Sequence, residues 1–246
     1  MKKLLTIGLT LVLGAALLSG CGQTGGETTA TTTGTAGVSQ TATETSADAG
    51  NTDEIFVWEG TVIKGLTEKG QATEEIVIPD TCTAIGKDAF FQADMKSVVI
   101  GASVEEIGDS AFWECNDFET IIFPGSVKKI GKNAFYKCEK LKEITFSEGL
   151  LEIGDGAFGA TSCETITFPE SLVTFGENIF TPCSAMTGVY IPASMENIPM
   201  GALGLAFNFG TKIYVKEGSW ADLNFKEFIP ADPYGQADAY YEKTYY

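Results

Sequence analysis

The chain has 246 residues, with 33 acidic against 16 basic ones and a formal net charge of −17. It contains no histidine, which excludes histidine general acid–base catalysis, Ser-His and Cys-His nucleophilic pairs, and histidine metal sites. Because so acidic a protein repels phosphate backbones, we expect no nucleic-acid partner.

A targeting segment is predicted at residues 1–21. Two lysines precede an apolar stretch, Leu4–Leu17, that is too short for an ordinary membrane span. The following Leu18–Cys21 reads Leu-Ser-Gly-Cys and resembles a bacterial lipobox. That resemblance implies a lipoprotein signal peptide that is cut before Cys21, with a diacylglyceryl group on the Cys21 thiol. The alternative is a plain secretory signal with a chance cysteine at this place.

The next segment, residues 22–53, is dominated by Thr, Ala, Gly and Ser and has almost no bulky apolar residue. Such a composition cannot bury enough surface to offset the entropy of ordering, so we expect a disordered tether. Ordered structure is expected from residue 54, where Ile55–Leu66 alternates apolar and polar residues around a Glu-Gly pair. This pattern is typical of a β-hairpin. We assign residues 54–73 to an N-terminal cap that covers the first of the repeats described next.

Residues 74–211 repeat one phrase every 22 to 23 residues. Two successive copies are SVEEIGDSAFWECNDFETIIF (Ser103–Phe123) and SVKKIGKNAFYKCEKLKEITF (Ser126–Phe146). A period of this length indicates a solenoid of stacked supersecondary units, in which each coil buries its apolar face against its neighbours.

One part of the repeat predicts a strand in every coil. Apolar residues recur in pairs two positions apart, many of them β-branched, and a proline directly follows four of the pairs. The second members of the pairs are Ile78, Ile100, Phe123, Phe146, Phe168 and Ile191. Their stacking predicts a parallel sheet on one face of the solenoid.

Another part of the repeat predicts a short helical or 3-10 turn. We expect its glycine column to adopt positive φ, the next column to cap the turn, and a phenylalanine to fill the core. The glycines are Gly86, Gly108, Gly131, Gly154 and Gly176. The capping residues are Asp88, Ser110, Asn133, Gly156 and Asn178. The phenylalanines are Phe90, Phe112, Phe135, Phe158 and Phe180.

The repeat decays near its end, where Pro199 stands in the glycine column and Leu203 in the phenylalanine column. Residues 212–227 predict a C-terminal cap made of a last strand and a short helix, which Ser219 would cap with Asp222 three residues on. The tail, residues 228–246, is acidic and rich in tyrosine. It either folds over the last coil or forms a loose interaction segment.

The consensus of the copies, I-P-x-S-V-x-x-I-G-x-x-A-F-x-x-C-x-x-L-x-x-I-x-F, resembles the BspA-like class of leucine-rich repeats over residues 74–218. The resemblance implies a β-rich leucine-rich-repeat solenoid that is capped at both ends. It also implies a bacterial cell-surface or secreted protein, often an adhesin or binding protein. The family shares no catalytic residues, so the resemblance implies neither an enzyme nor a cofactor.

Six cysteines in an exported protein suggest disulfides, but five of them occupy packing positions of the repeat. Cys115, Cys138 and Cys183 follow the core phenylalanine by three residues, while Cys82 and Cys163 stand in apolar columns. We therefore expect buried thiols, with a bridge between Cys115 and Cys138 as the main alternative. No Cys-x-x-Cys pair occurs, so no metal site is expected.

The candidate binding site is the outward face of the predicted strands. The column one residue before each strand end carries apolar residues in the first coils, then threonines, then tyrosines. We call this column the strand-face stripe; it consists of Val77, Val99, Ile122, Thr145, Thr167, Tyr190 and Tyr214. Solenoids bind partners on their extended faces, and exposed apolar patches mark interaction sites. The β-propensity of a strand surface would account for the same residue types without a ligand.

These features predict a non-catalytic, lipid-anchored monomer at the bacterial cell surface that binds a protein or glycan through the strand-face stripe, as an adhesin does. Two other classes stay open: a structural scaffold of an envelope complex, and an accessory module or enzyme acting on glycan or peptide. Catalysis would need a carboxylate pair such as Glu105 and Glu106. Neighbouring residues on a strand or turn point apart, which argues against that pair.

Overall fold

The structure is a computed structural model and describes residues 54–204, 210–229 and 241–246. These residues belong to one compact unit, Ser46–Tyr246. The expected signal peptide, the lipidation site Cys21 and the expected tether lie outside the described residues.

The described residues form fifteen short strands and three single-turn helices. The first half of the strands comprises β1 (Phe56–Glu59), β2 (Val62–Leu66), β3 (Glu75–Val77), β4 (Ala84–Ile85), β5 (Ser97–Val99), β6 (Glu106–Ile107), β7 (Thr120–Phe123) and β8 (Lys129–Ile130). The second half comprises β9 (Glu143–Phe146), β10 (Glu152–Ile153), β11 (Thr165–Thr167), β12 (Thr174–Phe175), β13 (Gly188–Tyr190), β14 (Thr211–Val215) and β15 (Tyr241–Tyr245). The helices are α1 (Glu68–Gln71), α2 (Trp220–Leu223) and α3 (Phe225–Phe228).

The solenoid has strands on two sides of each coil. The predicted strand column forms the two-stranded sheets β3-β5 and β7-β9 and the four-stranded sheet β11-β13-β14-β15, all with parallel pairing. A second, seven-stranded sheet has the order β1-β2-β4-β6-β8-β10-β12. The predicted solenoid of parallel strands is confirmed. Sequence analysis missed the second sheet because most of its strands have only two residues, too few for an alternation of period two to appear.

The hairpin β1-β2 begins the seven-stranded sheet. The two strands pair antiparallel, and β2 then pairs in parallel with β4. The helix α1 follows, and the side chain of its N-cap residue Thr67 accepts a hydrogen bond from the backbone N–H of Gly70. The ring of Phe56 is buried and meets Phe90 edge to face at 6.2 Å. The hairpin therefore covers the apolar end of the first coil, as a cap must.

The third side of each coil consists of hydrogen-bonded turns and contains no helix within residues 54–204. Alternate N–H groups bond within the turn, as Phe91 N does to Asp88 O at 3.2 Å. The N–H groups between them donate to the next coil, as Phe90 N does to Ala111 O at 2.7 Å. Half of the N–H groups thus serve coil stacking, which is incompatible with a continuous helix.

The column glycines do not have positive φ, so that expectation was wrong; positive φ occurs two residues and again six residues beyond them. Asp88, Ser110, Asn133 and Asn178 have φ of 52–56°, and Gly156 has 62°. These residues were expected to cap helices. Asn and Asp tolerate the left-handed region better than most residues do. They fit the turn for this reason and not as helix caps.

The column glycines are required by the close approach of the neighbouring coil. A Cβ atom added at Gly131 would lie 2.6 Å from Asp109 N, and one at Gly108 would lie 2.7 Å from Lys87 N. Backbone atoms at this distance cannot move aside without displacing a whole coil. The glycine N–H groups also join the coils, as Gly131 N does to Ile107 O at 2.8 Å.

The core is a continuous stack of the predicted phenylalanines. Ring centroids lie 4.9 Å apart between Phe90 and Phe112, 4.9 Å between Phe112 and Phe135, and 5.4 Å between Phe135 and Phe158. All five phenylalanines of the column are at most 1% exposed. The burial of these aromatic side chains is the main source of stability in the stack of coils.

Pro199 ends the seven-stranded sheet. In each earlier coil the glycine N–H donates to the strand of the coil before, as Gly176 N does to Ile153 O at 2.7 Å. The next donor in this series would be the N–H of residue 199, and proline has none. The sheet therefore stops at β12, although the apolar side chain of Ile198 is still buried.

The C-terminal elements close the other end of the coils. β14 pairs with β13, and the side chain of Ser219 accepts a hydrogen bond from Asp222 N at 3.3 Å, which caps α2. The predicted strand and capped helix are thus both present. The carbonyl of Phe228 in α3 accepts a hydrogen bond from Gly201 N at 3.1 Å.

Candidate functional site

The strand-face stripe lies on the outside of its sheets, because alternate residues of a strand point to opposite faces. The inward neighbours Ile76, Val98 and Ile121 are 1–7% exposed. Val77, Val99 and Ile122, in contrast, are 60%, 57% and 55% exposed. Thr145 and Thr167 are exposed, and Tyr190 and Tyr214 are half-buried.

Strand pairing brings the stripe residues together in three blocks. Val77 is opposite Val99, and Ile122 is opposite Thr145. The third block joins Thr167, Tyr190 and Tyr214. No backbone ladder joins one block to the next in the described residues. The stripe is apolar in its first two blocks and aromatic in its third.

The aromatic block is a rigid pair of rings. The rings of Tyr190 and Tyr214 are parallel within 3° with their centroids 4.1 Å apart. Desolvation, and secondarily the neighbouring Tyr214, raise the pKa of Tyr190. The Tyr190 hydroxyl therefore remains protonated at neutral pH and can donate or accept hydrogen bonds. Aromatic side chains of this kind are enriched at binding surfaces because few of their torsions must be immobilised.

The end of the tail extends this block, which sequence analysis left undecided. β15 pairs in parallel with β14 and places Thr244 opposite Tyr214. The hydroxyl of Tyr246 donates to Ile191 O at 2.8 Å, and its ring lies 6.0 Å from that of Tyr190. Burial raises the pKa of Tyr246. The tyrosine-rich composition of the tail was the one sequence feature that indicated a role for it. Composition does not show which strand a segment pairs with.

Ion pairs between neighbouring coils border the stripe on one side. Lys96 Nζ lies 2.6 Å from Glu74 Oε1, and Lys142 Nζ lies 2.6 Å from Glu119 Oε2. The hydrogen bond from Lys142 lowers the pKa of Glu119, and the same bond raises the pKa of Lys142. Each of these two pairs is nearly neutral, whereas the exposed Glu75 and Glu143 add negative charge on the same strand face as the stripe.

The five cysteines of the repeats are buried thiols, as expected. Cys115 Sγ donates to Phe90 O at 2.9 Å, and Cys138 Sγ donates to Phe112 O at 3.0 Å. Each thiol thus donates a hydrogen bond to the carbonyl oxygen of the core phenylalanine in the preceding coil. Burial raises the pKa of Cys115 to about 12 and that of Cys138 further above its usual range. The two residues are not joined by a bridge.

Glu105 and Glu106, the carboxylates considered for catalysis, both lie on the exposed surface. The described residues contain no group of three or more His, Cys, Asp or Glu side chains that could hold an ion. Glu106, one of the two carboxylates considered for catalysis, lies 3.9 Å from Lys129 Nζ on the exposed surface. Such a group is solvated and paired and lacks the desolvation that catalytic carboxylates need.

Comparison with known proteins identifies the repeat. The family model of the BspA-type leucine-rich repeat region matches six copies over residues 68–187. These residues belong to the BspA-type leucine-rich repeat family. The match begins at α1 and ends just before β13, so it covers both strand columns and the turn column of the coils.

Solved structures share the fold of the BspA-type repeats. A leucine-rich repeat protein from Bacteroides ovatus is 30% identical, with a TM-score of 0.57, and the match covers 66% of this chain and 46% of that one. The Treponema pallidum leucine-rich repeat protein is 29% identical, with a TM-score of 0.43, covering 61% of this chain and 67% of that one. The pneumococcal vaccine antigen PcpA is 24% identical, with a TM-score of 0.47, covering 59% and 46%.

The matched part of this chain thus spans less than half the length of the Bacteroides and pneumococcal proteins. Comparison with curated proteins gave no match. Among the residues that the structure describes, none of the helices has the length and apolar character needed to cross a bilayer.

Proposed function

We propose that this protein is a non-catalytic, adhesin-like surface protein that binds a protein or glycan partner through the strand-face stripe. The main observation in support of this proposal is that three neighbouring apolar side chains, Val77, Val99 and Ile122, are each 55–60% exposed. Side chains of this size are usually turned inward in a solenoid coil, and a contiguous exposed group marks an interaction site.

The chemistry of the stripe suits an uncharged or mixed partner surface. Its apolar residues Val77, Val99 and Ile122 offer apolar contact area to a partner. The stacked Tyr190 and Tyr214 add aromatic faces with hydroxyls at their ends. The flanking Lys–Glu pairs are already neutralised within the protein. Because the whole chain carries a charge of −17, a nucleic acid or another polyanion would be repelled. The protein is proposed to act as a monomer without a cofactor.

Membrane attachment is proposed through Cys21, on the strength of the Leu-Ser-Gly-Cys run after a short apolar stretch. A diacylglyceryl group adds about 0.8 kcal/mol of membrane affinity for each buried methylene, so two acyl chains anchor a protein firmly. Metabolic labelling with palmitate tests this directly. We expect label in the wild-type protein and none in Cys21→Ser; label that persists in the variant, or a wild-type protein released into the medium, contradicts the anchor.

The binding role is tested by placing charged residues in the apolar part of the strand-face stripe. The chain is screened on an array of glycans and extracellular-matrix proteins, and the ligands found are retested with Val99→Lys plus Ile122→Lys. Because both residues are surface-exposed, the double variant should fold normally while two charges are placed in the contact area. We expect the affinity for the ligand to fall by at least about tenfold, or about 1.4 kcal/mol.

A matched control distinguishes the stripe from exposed apolar residues in general. Leu151 and Val173 are 45% and 65% exposed and lie on the side of the seven-stranded sheet. The double variant Leu151→Lys plus Val173→Lys should keep its full affinity. A ligand that binds both double variants as tightly as the wild type, with unchanged circular dichroism, would show that the stripe is not the binding face.

A further inference from the structure

Hydrogen bonding between the turn segments runs in one direction along the whole solenoid. In the first coil, the N–H groups of Asp88, Phe90 and Gln92 donate to the second coil at 2.7–3.0 Å. The second and third coils repeat this, with three donors each at 2.7–2.9 Å. In these three coils the accepting carbonyls come from alternate residues and point back towards the N-terminal end; in the later coils the spacing of the accepting residues changes. Every coil therefore presents three acceptors to the coil before it.

The first coil presents three such acceptors without a preceding coil. Its equivalent carbonyls are those of Lys87, Ala89 and Phe91, since the accepting residues one coil later are Asp109, Ala111 and Trp113. No N–H among residues 54–204, 210–229 and 241–246 donates to any of these three oxygens. The hairpin β1-β2 continues the seven-stranded sheet into the cap but supplies no segment on the turn side.

A cleft of about 540 Å³ lies at this place. Its walls are Gly65 and Leu66 of β2, Gln71 of α1 and the first turn segment, Asp88 to Asp94. A Cβ atom on Gly65 would be 3.7 Å from Ala89 O and would meet no other atom within 4 Å. Gly65 of the cap thus lies beside the central carbonyl, but no described backbone N–H of the cap donates to it.

Two side-chain features of the cleft select among possible ligands. Phe91 is 47% exposed, while the rings that follow it along the column, Trp113 and Tyr136, are packed 4.7 Å apart. Asp88 and Asp94 supply carboxylates, and Asp94 makes no ion pair among the described residues. An occupant should therefore bring an apolar or aromatic side chain for Phe91 and a basic side chain for Asp94.

We propose that this cleft binds an extended peptide segment of a partner protein, which takes the place of a missing coil. N–H groups on alternate residues of the peptide donate to the carbonyls of Lys87, Ala89 and Phe91. The mode is strand addition at an open backbone edge, in which backbone bonds give affinity and side chains give specificity. A lysine or arginine of the peptide pairs with Asp94, in keeping with the acidic charge of the chain.

A second copy of this chain fits the cleft poorly. The coil at the C-terminal end of the solenoid would have to supply the N–H donors in a head-to-tail assembly. There, however, Gly201 N already donates to Phe228 O of α3 at 3.1 Å. This donor is the equivalent of Asp88 N and is not free to join a second copy, so we take the partner to be a different protein.

The proposal is tested by selecting random peptides displayed on phage against the full chain. One selected peptide is then synthesised in two forms that are N-methylated on alternate residues, in opposite phase. We expect one form to lose at least about tenfold in affinity, which corresponds to about 1.4 kcal/mol, and the other to bind nearly as well as the parent. Only an edge that accepts from alternate N–H groups gives this difference.

Protein variants locate the peptide. Phe91→Ala and Asp94→Lys should each weaken binding by at least about fivefold, whereas Leu151→Ala should not, although Leu151 is 45% exposed and so resembles Phe91. Loss of binding confined to the strand-face variants Val99→Lys plus Ile122→Lys would assign the peptide to the stripe and overturn the cleft. Equal binding of both N-methylated forms, or a selection that yields no peptide, would overturn it too.

Discussion

Replacing Gly131 by alanine tests the reason for the glycine column. The added Cβ would lie 2.6 Å from both the backbone nitrogen and Oδ1 of Asp109, and 2.7 Å from the carbonyl carbon of Gly108. Two of these three atoms belong to the backbone of the preceding coil, so the clash is relieved only by separating stacked coils. Inserting a methyl into such packing costs about 1–3 kcal/mol. The reduced entropy of the unfolded chain returns about 0.4–1 kcal/mol.

Subtracting the second range from the first leaves an expected net loss in the free energy of unfolding of about 0–2.6 kcal/mol, which lowers Tm by up to roughly 5–10 °C in a domain of this size. Urea unfolding followed by circular dichroism measures it. Gly65→Ala is the matched control, since its Cβ comes no nearer than 3.7 Å to any atom outside its immediate neighbours. Its stability should stay within about 0.5 kcal/mol of the wild type.

The order of stability among variants distinguishes two explanations for a glycine: lack of space for a Cβ atom and a need for positive φ. If space decides at residue 131, asparagine must be worse than alanine there. At Asn133, where φ is 52°, glycine should instead be better than alanine by about 1 kcal/mol, because the left-handed region penalises a Cβ. A Gly131→Ala protein more stable than the wild type, or a Gly131→Asn protein more stable than Gly131→Ala, would refute the explanation by close approach.

Three further outcomes are expected. Phe135→Ala, which empties the middle of the ring stack, should lower the free energy of unfolding by about 3–5 kcal/mol in urea; a loss below 1 kcal/mol would contradict the role of the stack. Cys115, whose pKa burial raises to about 12, should resist iodoacetamide at pH 8 in the native protein and react once it is unfolded; native labelling would disprove its burial. The hydrogen bond from Lys137, followed by that from Gln92, lowers the pKa of Glu114 from 4.5 to about 2, so its stabilising effect is present above pH 4.5 and is lost as the pH falls towards 2. NMR titration should place the Glu114 midpoint near 2 and move it upwards in Lys137→Met; a midpoint near 4.5 in the wild type would exclude the pair.

The strand and core columns were predictable because the same residue types recur at the same place in every coil. Ile76, Val98 and Ile121 stand two positions before a second inward residue, and this period-two pattern has one structural meaning. The phenylalanine column likewise indicates the core, because a large apolar side chain that recurs in every coil must be buried. Exposure of Val77, Val99 and Ile122 then follows, since strand neighbours point to opposite faces.

The turn side was not predictable in the same way. A glycine is equally consistent with positive φ and with close contact, and only the distance between Gly131 and Asp109 N distinguishes the two. Asp, Ser and Asn two residues later suit both a helix cap and a left-handed turn. Local sequence leaves such choices open because they depend on the neighbouring coil.

By itself, the sequence determined that this protein is a stack of coils, which column fills the core, and which faces outwards, because a repeating pattern of side chains constrains every coil alike. Pro199 marked the place where the repeat decays. Only the tertiary structure decided that strands occupy two sides, that β15 joins β14, and that three carbonyls of the first coil face a cleft. These features arise from hydrogen bonds between residues distant in the chain, and backbone N–H and C=O groups are the same in every residue, so no side-chain pattern records their partners.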